Sequence, residues 1–161
     1  MIVVADTSVI LNLCRVRHEH LLKKLFKRVL VPSQVADEFA RLTKIQKRFS
    51  GLVLPDWIEI LHAPKPFPAE IIQAQLDIGE SAAIALCLKQ KADALLIDEK
   101  AGREVAARLG VRTVGIAGIL VDARNEKLIS SVKVLLNRLE TEAVFWVSSD
   151  LRNRILQLAG E

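Results

Sequence analysis

The stretch Met1-Ile-Val-Val-Ala-Asp6-Thr-Ser8 decides the fold. Ile2 to Ala5 form a short apolar run rich in β-branched residues, as a parallel strand buried on both faces requires. An acid ends the run, and Thr7 and Ser8 follow at once. These three residue types accept hydrogen bonds from the free N–H groups that open a helix, so a helix is expected to start here. Val9, Leu11, Leu13 and Cys14 supply its apolar positions. A buried strand that turns through an acid directly into a helix is the opening of an α/β unit.

The same alternation continues along the chain. Leu21, Leu22, Leu25 and Phe26 fall at helical spacing, and 29–31 is a second strand. Pro32 suits the first turn of a helix carrying Val35, Phe39 and Leu42. The pattern predicts a third strand at 57–61, a proline-broken loop at 63–68 and a short helix at 69–76. Gly79 starts a further helix with Ala83, Ile84, Cys87 and Leu88 on its buried face. A fourth strand at 94–97 ends in Asp98, which can cap a helix holding Ala101, Val105 and Leu109 and stopped by Gly110. A fifth strand is expected at 111–114, followed by helices at 116–124, 132–142 and 149–158. Strands alternating with helices at short intervals imply a parallel α/β sheet covered on both faces. No internal repeat or linker interrupts 1–161, so one domain is expected, with a core at 1–125 and a helical C-terminal extension at 126–161.

A chain of 161 residues can bury a real core, and a composition 51% hydrophobic and 26% charged excludes a disordered chain. No apolar run reaches the length of a membrane span. The opening residues lack the basic flank and long apolar run of a signal peptide. Cys14 and Cys87 sit among apolar neighbours and read as buried free thiols in a reducing cytoplasm. A net charge of +4 with a pI near 9.3 permits an anionic partner such as RNA without demanding one. Neither a nucleophile elbow, a P-loop nor a His-Glu-x-x-His zinc motif occurs. His18, His20 and His62 stand in no recognisable catalytic setting.

Four acids carry the chemistry. Open parallel sheets bind ligands beyond the carboxyl ends of their strands. Asp6 follows strand one and Asp98 follows strand four, so both project from one sheet edge if those strands are neighbours. Glu38 lies within the apolar stripe of its helix, and Glu80 opens an otherwise apolar helix. An acid in such a place is costly unless it is paired or binds a metal. Gathered carboxylates repel and raise one another's pKa, and a hard divalent cation relieves that repulsion. Mg²⁺ or Mn²⁺ held by oxygen ligands activates water and stabilises charge on a phosphodiester.

At these residues the chain resembles the PIN-domain nucleases, in particular the compact prokaryotic VapC-type toxins. The matching pieces are Val4-Ala-Asp6-Thr-Ser-Val-Ile-Leu-Asn12, Val31-Pro-Ser-Gln-Val-Ala-Asp-Glu38, Leu76-Asp-Ile-Gly-Glu80-Ser-Ala-Ala-Ile-Ala-Leu86 and Leu95-Leu-Ile-Asp98-Glu-Lys-Ala-Gly-Arg103. The resemblance covers roughly residues 1 to 125. It implies a three-layer α/β/α sandwich, an Mg²⁺ or Mn²⁺ site, RNA as substrate, a homodimer and, for a toxin, an antitoxin protein. It carries the catalytic and metal-binding role onto Asp6, Glu38, Glu80 and Asp98. Thr7 or Ser8 would support Asp6 by hydrogen bonding, and Asp77 and Glu99 would serve as outer acids or hold a second metal. Many such toxins have Asp where this chain has Glu80, whose carboxylate reaches one carbon further. Arg15, Lys100 and Arg103 are the basic residues nearest these acids in sequence and are candidates for phosphate contact. The alternatives to a metal-dependent endoribonuclease are a PIN-like module that binds RNA or protein without cutting, and a carboxylate-metal hydrolase of small phosphate esters.

Overall fold

The computed structural model describes residues 1–161. Five strands, β1 (Ile2–Ala5), β2 (Arg28–Pro32), β3 (Glu59–Leu61), β4 (Ala94–Leu96) and β5 (Thr113–Val114), form one sheet in the order β3-β2-β1-β4-β5. Every pairing is parallel. β1 is central: Val4 sits opposite Leu30 on one side and Leu95 on the other. Val3, Val4 and Ala5 have no exposed surface, which accounts for the unbroken apolar run.

Nine α-helices surround the sheet: α1 (Thr7–Arg15), α2 (His20–Leu25), α3 (Ser33–Ile45), α4 (Ala69–Gln73), α5 (Ile78–Gln90), α6 (Lys100–Arg108), α7 (Ile116–Asn125), α8 (Val132–Glu142) and α9 (Ser149–Leu158). Helix α5 packs on β1 and β2, with α3, α4 and α6 beside it. On the other side α2 packs on α7, while α8 joins α1 to α7 and α9 lies on α7 and α8. The result is the expected α/β/α sandwich. Helix α5 is buried along 79–87, so its apolar composition reflects contact on every side.

The edge strands are shorter than their apolar runs. Val111 donates its N–H to Ala106 O at 2.9 Å, closing the end of α6, so the fifth strand begins only at Thr113. Gly110 has φ +75°, the left-handed conformation a helix stop requires. Ile58 is held in a turn by its bond to Pro55 O, so the third strand begins at Glu59, two residues later than expected. Pro32 closes β2 instead of entering the helix, which starts at Ser33.

The C-terminal helices match their expected spans. Val132, Leu135, Leu136 and Leu139 are all buried, and they join the same apolar core as the sheet. That stripe is therefore used within the chain. The Glu161 carboxylate accepts bonds from Ser131 Oγ (2.8 Å) and Val132 N (2.6 Å), closing the start of α8. No helix is long and apolar enough to cross a membrane. Cys14 and Cys87 are buried free thiols whose pKa values burial pushes up to about 12 and about 11.

Candidate active site

The crossovers from β1 lead away in one direction to β2, and β4 enters on the other side of β1. A crevice opens beyond the carboxyl ends of strands that diverge in this way. Asp6 stands at that point. Its N–H donates to Leu96 O at 2.9 Å, which ties the end of β1 to the end of β4. Asp6 occupies the position before α1.

A cleft of about 400 Å³ lies here, lined by five acids: Asp6, Glu38, Asp77, Glu80 and Glu99. Asp6 and Glu80 are buried. Burial is the main reason that the Asp6 carboxyl is pushed up to about 7. The Thr7 N–H offsets part of the rise, while Asp77, Glu38 and Glu99 add to it. Glu80 is also pushed up to about 7, first by burial and then by Asp77, Asp6, Glu99 and Glu38. Asp77, Glu38 and Glu99 act on both acids as like charges.

Local chemistry fixes the acids in place. Asp77 accepts the Glu80 N–H at 2.8 Å and thereby caps α5 one turn before the buried carboxylate. Thr7 donates its hydroxyl to Glu38 Oε2 at 3.0 Å. Thr7 therefore braces Glu38 through its hydroxyl, while its backbone N–H is the group that lowers the Asp6 pKa. Ser8 does not support Asp6: its Oγ is buried without a partner. Gly79 makes room for Glu38. A Cβ there would stand 2.5 Å from Glu38 Oε2.

Asp98 is not among the acids lining this cleft. Its Oδ1 accepts the Ile116 N–H at 3.0 Å, so it caps α7; the capping position before α6 belongs to Glu99. Adjacent residues leaving β4 diverge, and Glu99 is the one that reaches the cleft. The Gly115 backbone and the Arg103 guanidinium flank Asp98. Burial raises the Asp98 pKa to about 6, with Ile116 N–H and Arg103 pulling it down and Glu99 pushing it up.

The three basic candidates separate. Arg103 lies beside Asp98, and Lys100 shares that surface while pairing with Glu104 at 3.8 Å. Arg15 is removed from the site. It ends α1, and nine residues of helix at 1.5 Å each carry it about 13 Å from Asp6, where it meets Glu142 at 3.4 Å. Sequence reasoning missed Asn12, Gln46 and Arg48, which line the cleft. Asn12 had a signal, being the one polar residue within the apolar run of α1. Gln46 and Arg48 had none. A larger cavity of about 510 Å³ around Met1, Lys24 and Arg112 contains none of these acids.

The donor set is all oxygen and carries excess negative charge, which suits a hard divalent cation. No ion pair in the protein involves any of the cleft acids. No three carboxylates stand arranged to hold an ion.

The fold is a parallel α/β sandwich with an acid-lined cleft at its switch point. A family model described as a PIN domain matches residues 2–161, and the chain belongs to the PIN-domain family. The match includes the C-terminal helices, which the motif resemblance did not reach. PIN domains are generally nucleases, and PIN nucleases typically use divalent metals. No curated protein matches the chain.

Two outcomes follow from the cleft. Asp6 and Glu80 have folded-state pKa values above their unfolded ones, so the stability they contribute is complete below pH 4 and lost as pH rises through about 7. In EDTA the melting temperature should fall from pH 5 to pH 8 by about 5 °C or more, and Mn²⁺ should restore more at pH 8 than at pH 5. A flat EDTA profile, or equal restoration, contradicts this electrostatic account. In Gly79→Ala the Glu38 carboxylate must move. Ala also favours the helix, so melting in EDTA should stay level or rise, while the Mn²⁺-induced shift shrinks. An undiminished shift would remove Glu38 from the metal set.

Proposed function

We propose that the chain is a divalent-cation-dependent endoribonuclease that hydrolyses RNA phosphodiester bonds. One observation carries the reading: two buried acids, Asp6 and Glu80, share an open cleft with three further carboxylates and no neutralising ion pair. Such a cluster costs stability in the absence of a partner cation. The residues that would hold Mg²⁺ or Mn²⁺ are Asp6, Glu38 and Glu80, with Asp77 and Glu99 as outer acids. When bound, the ion supplies Lewis acidity and an activated water.

The chain's own residues provide the rest. Thr7 holds Glu38, Asp77 fixes the helix start that presents Glu80, and Leu11, Leu42 and Phe49 form the apolar part of the wall. Asp98 serves as a positioning residue, anchoring α7 and orienting Arg103 on the surface beside the cleft. Lys100 and Arg103 then face the path of a polyanion that extends past Glu99. RNA is favoured over a small ester because the cleft is open and flanked by this basic surface, and because the motifs resemble ribonucleases.

A second reading, a PIN-like module that binds RNA or protein without cutting, is favoured by one fact: no three acids stand in ligating geometry. The two readings part on Asp6→Asn. With Mn²⁺ the wild-type chain should cut single-stranded RNA, and Asp6→Asn should lower kcat about a hundredfold or more. Wild-type activity in that variant would remove Asp6 from catalysis, and RNA binding without cutting in the wild type would favour the second reading. The toxin role, an antitoxin partner and a homodimer rest on the motif resemblance. Light scattering should give a mass of twice 17.9 kDa for the dimer, and a single 17.9 kDa species contradicts it. The two buried free thiols support a reducing, cytoplasmic setting.

A further inference from the structure

The acid cleft has one cation in its wall. Of the side chains that line it only Arg48 is basic, and Arg48 forms no ion pair with the carboxylates it shares the cleft with. Its guanidinium carbon lies instead 4.6 Å from the centroid of the Phe49 ring. Phe49 is buried, so the platform is fixed. A guanidinium resting on a ring face keeps its edge N–H donors free, and those donors match the oxygens of a phosphate.

The same wall carries unsatisfied polar atoms. Gln46 Oε1 and Ser8 Oγ are buried without hydrogen-bond partners, and both residues line the cleft. Buried polar atoms are otherwise nearly always paired, so two orphans in one cleft mark a place where a polar ligand completes the bonding. Arg41, Lys44 and Lys47 extend the positive charge along the end of α3 and the 3-10 turn that follows, and none is in an ion pair.

We infer that Arg48 is a phosphate-positioning residue for single-stranded nucleic acid: seated on Phe49, it contacts a backbone phosphate next to the carboxylates, while Gln46 presents its carboxamide to the same nucleotide. The inference rests on the nuclease reading of this cleft. It sets the strand's path, from the Arg48 wall across the acids toward Lys100 and Arg103.

The test is fluorescence anisotropy of a labelled single-stranded RNA oligonucleotide with the full chain in Ca²⁺, with the oligonucleotide checked to be intact. Arg48→Ala should weaken binding about tenfold and lower the slope of log affinity against log salt by about 0.7, one phosphate contact on a single strand. Arg48→Lys should recover part of the affinity. Arg108→Ala removes the same charge from the far end of α6 and should bind like the wild type. The Mn²⁺-induced melting shift of Arg48→Ala should equal or exceed that of the wild type, since a positive charge leaves the wall while the acid cluster stays intact. Binding and salt slope in Arg48→Ala equal to the wild type, or to an equally weakened Arg108→Ala, would overturn the inference. If the wild type cuts RNA while Arg48→Ala binds normally, the inference falls and the nuclease reading stands. If the wild type binds without cutting and Arg48→Ala binds weakly, the inference stands and the cutting claim falls. No binding by the wild type removes both.

Discussion

Parallel pairing of β1 with β2 on one side and β4 on the other is the constraint on which the rest of the molecule depends. It buries Val3, Val4 and Ala5 completely, and it ends at Asp6, whose N–H reaches across to Leu96 O. Because the chain leaves β1 toward β2 and returns on the opposite side as β4, a crevice opens where the first acid emerges. Helix α5 packs on β1 and β2, and so delivers Glu80 to the same edge. Helix α3 follows β2 and brings Glu38, which Thr7 and the bare backbone of Gly79 hold in place.

Folding therefore brings together groups that repel. Asp6 and Glu80 are buried with raised pKa values, Asp6 adds to the rise at Glu80, and the cleft supplies no ion pair in compensation. Arg48, the one cation in the wall, is engaged by Phe49. A fold optimised for stability alone would fill such a place with apolar side chains of similar volume. Retaining the acids has a physical logic if a divalent cation occupies the cleft when the protein works. Beside the cleft, Asp98 Oδ1 accepts the Ile116 N–H and Arg103 lies nearby, while its Oδ2 is buried without a partner.

Much of the fold was legible in the sequence because buried parallel strands and amphipathic helices leave different periodicities. The run Ile2–Ala5 and the stripe Val132, Leu135, Leu136, Leu139 were read from that signal alone. The edge strands were overextended because apolar residues near them spend their backbone donors on turns, as Val111 and Ile58 do. In the site, strand ends and a polar residue in an apolar stripe pointed to Asp6 and Glu38. Strand position also pointed to Asp98 with Glu99 as an outer acid, whereas Glu99 is the one that lines the cleft, since adjacent side chains leaving a strand take different directions. Nearness in sequence misled for Arg15, which a whole helix carries away. Gln46 and Arg48 reach the cleft only through the path of the chain after α3, a tertiary feature with no local signature.

The central claim is that the cleft acids, and not Asp98, form a divalent-cation site. A crystal of the full chain soaked in Mn²⁺ and measured at the manganese edge tests it most directly. The account predicts an anomalous peak bonded to oxygens of Asp6 and Glu80, with Glu38 turned toward it, at about 2.0–2.4 Å. No peak in the cleft, or a peak centred between Asp98 and Arg103, would contradict it.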